Sequence, residues 1–162
     1  MTSGDHLIET ELPAIFRDYA GNEDCRRIMV VCRSRSRRKN PAGLPDTASC
    51  TWYFNIASID DIRPIDRADM GIVLNQIEHM RRPDAMHLLS RMRDQFCNKV
   101  LARVGSKMFT DQELLALGYI RQDRPHTDGN YYLFDPAVFF EKREWNTPQN
   151  WAHPENFGKR RW

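Results

Sequence analysis

The sequence predicts an α/β domain: a mostly parallel sheet flanked by helices, with an antiparallel hairpin near its C-terminal end. Three observations predict it. Short apolar runs rich in β-branched residues recur at 26–32, 70–74 and 99–104, and such runs are the mark of strands buried on both faces. Between the second and third runs, Met86, Leu89, Met92 and Phe96 repeat every three or four residues, the spacing of one helix face. Finally, two strand-like stretches flank a polar turn containing Thr127-Asp128-Gly129.

Taken in order, Leu7, Ile8, Leu12, Ile15, Phe16 and Tyr19 have helical spacing, with Pro13 in a first turn and Gly21-Asn22 as the stop. Arg26 to Cys32 forms the first strand. Arg33 to Ser49 reads as loop, basic and Ser-rich first, then interrupted by Pro41, Gly43 and Pro45. Thr51 to Ile56 is aromatic and β-branched, a second strand. Pro64 and the charges around it separate this strand from a third, Met70 to Leu74. Pro83 suits a first helical position, so a helix is expected over Pro83–Phe96. Lys99 to Val104 is the fourth strand. Thr110-Asp111-Gln112-Glu113 has capping-box spacing, which starts a short helix that Gly118 ends. Tyr119–Gln122 and Asn130–Asp135 make the hairpin. The expected organisation is one domain over 1–135 and an aromatic, basic tail over 136–162 packed on it.

Composition narrows the function classes. A chain of 162 residues suffices for one packed core. The net charge of +2 creates no global field toward nucleic acid or membrane, so any basic signal is local. The four cysteines, Cys25, Cys32, Cys50 and Cys97, form no CxxC pair and read as thiols of a reducing compartment. No basic start followed by an apolar run marks a signal peptide, and no stretch reaches the ~18 apolar residues of a membrane helix. A cytoplasmic protein without membrane contact is expected. The histidines His6, His79, His87, His126 and His153 are scattered, so no metal site is expected.

The stretch Asp69-Met70-Gly71-Ile72-Val73-Leu74-Asn75-Gln76-Ile77-Glu78-His79-Met80 resembles the fourth-strand segment of class I S-adenosylmethionine-dependent methyltransferases. In those proteins an Asp opens a hydrophobic strand, and Glu-His-Met or Glu-His-Leu follows on a short helix. The downstream order is similar, through Leu117-Gly118-Tyr119 to Tyr131-Tyr132-Leu133-Phe134, so the resemblance spans residues 66–135 and implies a Rossmann-like sheet. The whole chain, with its Trp-rich ending, also resembles a small family of uncharacterised bacterial methyltransferase-like proteins. One departure bears on function. The class places a Gly-x-Gly-like loop after its first strand, because glycine lets the backbone pass close to the cofactor. Here Val31-Cys32 leads into Arg33-Ser34-Arg35-Ser36-Arg37-Arg38, with no glycine before Gly43. The resemblance therefore implies a degenerate cofactor site, with no catalytic residue and no resident cofactor. Were S-adenosylmethionine held, the residues for it are Cys32, Ser34, Asp60, Asp61 and Asn75, one of the two aspartates as the adenine-contacting acid.

Each remaining signal has two readings. Arg33, Arg35, Arg37, Arg38 and Lys39 leave the carboxyl end of a strand, where α/β sheets bind ligands, and suit phosphates or a partner; as a charge run they equally make a solvated loop. Glu78 and His79 are an acid/base pair or, as the resemblance implies, the start of the helix that follows the family's fourth strand, here Met70 to Leu74. Asn75 touches a ligand or caps that turn. Cys32 is a thiol activated by nearby arginines or a buried inert one. Trp145, Trp151 and Trp162, interleaved with Pro, Asn and basic residues, complete the core, anchor a partner, or stack on single-stranded nucleic acid. The function expected is a non-catalytic methyltransferase-like module that binds a protein partner or nucleic acid. The alternatives are a divergent S-adenosylmethionine-dependent methyltransferase and a nucleic-acid-binding protein using the Arg33–Lys39 loop.

Overall fold

The computed structural model describes residues 25–33, 48–63, 66–105, 107–123 and 130–139. The helix expected over 7–19, most of the basic run expected as a loop, the turn expected at 127–129 and the aromatic segment beyond 139 lie outside these residues. The described elements are β1 (Arg27–Cys32), β2 (Ser49–Phe54), β3 (Ala68–Leu74), α1 (Arg82–Arg91), β4 (Cys97–Val104), α2 (Asp111–Ala116), β5 (Ile120–Gln122), β6 (Asn130–Phe134) and α3 (Pro136–Phe139). Short 3-10 turns at Ile59–Asp61 and Ile77–His79 follow β2 and β3.

The fold is α/β, on one six-stranded sheet in the order β2-β1-β3-β4-β6-β5. The sheet is mixed rather than mostly parallel: β1 pairs in parallel with β2 and β3, and β3 with β4, whereas β6 runs antiparallel to both β4 and β5. The hairpin is present, but its antiparallel strand is β6, and β6 lies inside the sheet. Burial explains the order. Tyr131, Tyr132 and Phe134 of β6 are buried, whereas β5 exposes Arg121 and leaves Gln122 half-buried, so the polar strand takes the edge.

Strands buried on both faces read as unbroken apolar runs, and β1 (Ile28 to Cys32) and β3 (Met70 to Leu74) do so. Alternate residues feed two cores. On one face Met29, Val31, Val73 and Val100 pack with Ala85, Leu88, Leu89 and Met92 of the helical layer and with Leu114 and Tyr119. On the other, Ile28, Val30, Cys32, Ile72, Leu74, Leu101 and Tyr131 pack together, and no residue of a described helix joins them. The Asp that opens the third strand has a structural task. Asp69 accepts hydrogen bonds from the Arg26 and Arg27 amides at 2.9 and 2.8 Å, which anchors the start of β1 to β3.

The helix expected over Pro83–Phe96 divides. α1 ends at Arg91, and Met92–Phe96 forms one wider π-helical turn in which the Cys97 amide donates to the Met92 carbonyl. Carbonyls at a helix end lack partners in the chain's own ladder. Here Arg67 supplies them, donating to Asp94 O (3.1 Å), Arg93 O (3.2 Å) and Cys97 O (2.8 Å). β4 therefore begins at once, two residues earlier than its apolar pattern indicated. The Thr110 capping box forms as its spacing predicts, with Thr110 Oγ1 accepting from the Glu113 amide and Glu113 accepting from the Thr110 amide. Gly118, at φ 87°, takes the left-handed position that ends the helix. The short α3 after Pro136 was not signalled by any period in the sequence.

Four carboxylates hold turns and helix ends, and their partners keep each below its ordinary pKa. The Ser58 and Ala57 amides do so for Asp61, the Arg93 guanidinium for Asp94, the Tyr132 hydroxyl and Arg121 for Asp111, and the Thr110 amide for Glu113. A depressed carboxylate contributes stability above its unfolded value and loses it as pH falls through the folded one. Urea midpoints should therefore stay level from about pH 7 to about pH 5 and fall once pH drops below the ordinary carboxylate range. A midpoint unchanged at about pH 3 would show that these contacts do not favour the folded state.

Candidate functional site

Four parallel strands end along one edge of the sheet, at Cys32, Phe54, Leu74 and Val104. Chain direction makes one place on this edge distinctive. From β1 the chain moves outward to β2, and from β3 it moves the opposite way to β4, although β1 and β3 are neighbours. A crevice opens above such a switch point because the two connections diverge, and open α/β sheets take ligands there.

Two residues on this edge have unusual backbones. Asn55 and Asn75, each directly after a strand, have φ of 47° and 48°. Asparagine reaches this left-handed region more readily than other residues that carry a Cβ, and each residue here turns its chain sharply off the sheet. Hydrogen bonds then tie one strand exit to the next. The Asn55 backbone N–H donates to Cys32 O at 2.9 Å. Gln76 Nε2 donates to Ile56 O at 2.8 Å, joining the exits of β3 and β2, the two strands on either side of β1. Arg103 of β4 donates to Asn75 Oδ1. The Gly105 amide donates to Glu78 Oε1 at 2.6 Å, and a Cβ at Gly105 would stand 3.0 Å from that carboxylate oxygen. The rim is thus cross-connected by hydrogen bonds, and Arg33 emerges from it exposed.

Gln76 is the chemically open group. It is fully buried, and its Oε1 accepts no hydrogen bond among the described residues. Leaving a buried acceptor unmet costs about 1–3 kcal/mol, so this oxygen favours a donor from beyond the described residues.

The residues singled out from sequence fare differently. Cys32 and Asn75 stand at the exits of the adjacent strands β1 and β3, but the Cys32 side chain is fully buried in the second core. Burial pushes the thiols of Cys97 and Cys50 up to about 12 and about 11, so both stay protonated at neutral pH. Asp60 and Asp61 lie in the 3-10 turn after β2. The Asp61 carboxylate accepts from the Ala57 and Ser58 amides at 2.8 and 3.1 Å, which commits it to its own turn. Glu78 is engaged by Gly105, and His79 shares no hydrogen bond with it. Of the basic run only Arg33 is described; Ser34, Arg35, Arg37, Arg38, Lys39, Trp145, Trp151 and Trp162 lie outside the described residues. Asn55, Gln76 and Arg103 were missed. An Asn just past an aromatic strand is a usable signal for Asn55, whereas nothing local distinguishes Gln76 or Arg103.

Among the described residues no three His, Cys, Asp or Glu side chains gather as a metal set. No described helix is long and apolar enough to cross a membrane. No curated protein and no solved structure matches the chain. A family model matches residues 8–162, and on that match the chain belongs to the family of unknown function DUF6231.

Proposed function

We propose that this chain is a non-catalytic, methyltransferase-like binding module that engages a protein partner or nucleic acid at the carboxyl edge between β1 and β3. One observation carries the reading: the switch point is where Arg33 leaves the sheet, so the run Arg33, Arg35, Arg37, Arg38 and Lys39 starts at the ligand-binding position of the fold. The tail aromatics Trp145, Trp151 and Trp162 serve as further anchors in this reading. A non-catalytic role is supported by bulky residues where the cofactor loop needs glycine, and by Asp61 and Cys32 being engaged in structure. A cytoplasmic setting belongs to the reading and is supported by four cysteines that form no disulfide.

The second reading, a divergent S-adenosylmethionine-dependent methyltransferase, is favoured by parallel strands followed by an antiparallel hairpin, as the family resemblance implies. Calorimetric titration separates the two. The binding-module reading expects flat titrations with S-adenosylmethionine and S-adenosylhomocysteine, and binding tighter than about 10 μM to either would overturn it. For nucleic acid, the affinity for a single-stranded oligonucleotide should fall steeply with salt. Replacing Arg35, Arg37 and Arg38 together by Ala should then reduce the slope of log K against log salt by about 2. An unchanged slope removes the loop from the interface.

A further inference from the structure

A cavity of about 250 Å³ opens on the sheet away from the carboxyl edge, over the first half of β1 and along β2. Its origin lies in the connection from β2 to β3. Because β1 sits between these strands, the chain from Asn55 to Arg67 must cross it, and Ile56, Ile59 and Ile62 place that crossing on the face of the first core. Parallel crossovers usually carry a helix, which covers the strands beneath. The described part of this one holds only the 3-10 turn Ile59–Asp61, so among the described residues no helix covers the β1–β2 surface beside it.

The groups lining the space are chosen by strand geometry. Ser49, Thr51 and Tyr53 alternate along β2 and therefore present three hydroxyls on one face. None of these hydroxyls has a hydrogen-bond partner among the described residues. Arg63 and Asp66 line the same cavity. Asp66 pairs with Arg27 at 3.3 Å, while Arg63 has no ion-pair partner among the described residues. Among the described residues one guanidinium is thus left unpaired in a cavity that three hydroxyls also line, with the other lining charges, Arg27 and Asp66, paired. Burial pushes the Tyr53 phenol upward, so it remains a donor at neutral pH.

We propose that this cavity binds a small phosphorylated polyol, its phosphate on Arg63 and its hydroxyls along Ser49, Thr51 and Tyr53. A guanidinium fork matches the phosphate oxygens, and the volume lies below the ~300–1,000 Å³ of drug-sized pockets, which restricts the ligand to a few carbons. The site is separate from the carboxyl edge and does not depend on the function proposed above.

Amide NMR titrations of the full chain at matched ionic strength, with inorganic phosphate and with glycerol 3-phosphate, test it. Saturating shifts are expected at Ser49, Thr51, Tyr53 and Arg63, with glycerol 3-phosphate the tighter of the two ligands. R63A should weaken it by about tenfold or more, and T51V by less. R81A, which removes an exposed arginine at the start of α1, should leave binding unchanged. Equal affinity for the two ligands, shifts that never saturate, shifts centred on Arg33, or equal losses in R63A and R81A would each overturn the proposal.

Discussion

Replacing Gly71 by Val is expected to destabilise the fold by about 3 kcal/mol, the upper part of the range for overpacked cores. Gly71 sits in the middle of β3, between β1 and β4, where the chain is buried on both faces. A Cβ at this position would lie 2.5 Å from Cys97 Sγ and 2.7 Å from Met92 Cε. Met92 is long and flexible and can withdraw. Cys97 cannot: it opens β4, its side chain is fully buried, and its carbonyl is held by Arg67. Gly71→Ala should therefore cost less than Gly71→Val, and Cys97→Ala should recover much of the loss because it removes the nearer atom. Urea unfolding of the four combinations forms a double-mutant cycle, with a coupling of about 1 kcal/mol or more expected. If Gly71→Val lies within about 0.5 kcal/mol of the parent, the close approach of β3 to the π-helical turn is not a constraint on this fold.

Arg67→Ala is expected to cost about 2 kcal/mol. Its guanidinium meets three carbonyls at the junction of the π-helical turn with β4, and hydrogen bonds to a charged donor exceed neutral ones in worth. Arg67→Lys should recover only part of this, because an ammonium offers a point charge where the planar fork spans Asp94 O and Cys97 O. Amide exchange adds a local readout: protection should drop first at the start of β4, near Cys97 to Val100, ahead of global unfolding. Full rescue by Lys, or uniform loss of protection across the sheet, would show that charge alone, or general stability, accounts for the effect.

Elements governed by nearby residues were legible in the sequence. The apolar runs at 26–32 and 70–74 became strands because strands buried on both faces need nothing but apolar side chains. The Thr110–Glu113 box and Gly118 worked as read, since capping is completed within a few residues. Failures came where distant parts decide. The break after Arg91 depends on Arg67, some twenty-five residues upstream, and Asp69 clamps amides 42 and 43 residues away. Neither leaves a local signature. The site divides likewise: the basic run after β1 was visible as composition, whereas the Asn55–Gln76–Arg103–Glu78 ties needed the strand exits to be brought side by side.

The amino-acid order alone settled that this chain builds an α/β sheet and where most of its strands lie, because burial period and capping are properties of neighbouring residues. Tertiary structure decided which strand occupies the edge, how the helix ends, what spans the switch point and where a cavity opens. Those outcomes rest on contacts between segments far apart in the chain, and side-chain spacing along one segment carries no record of what another brings against it.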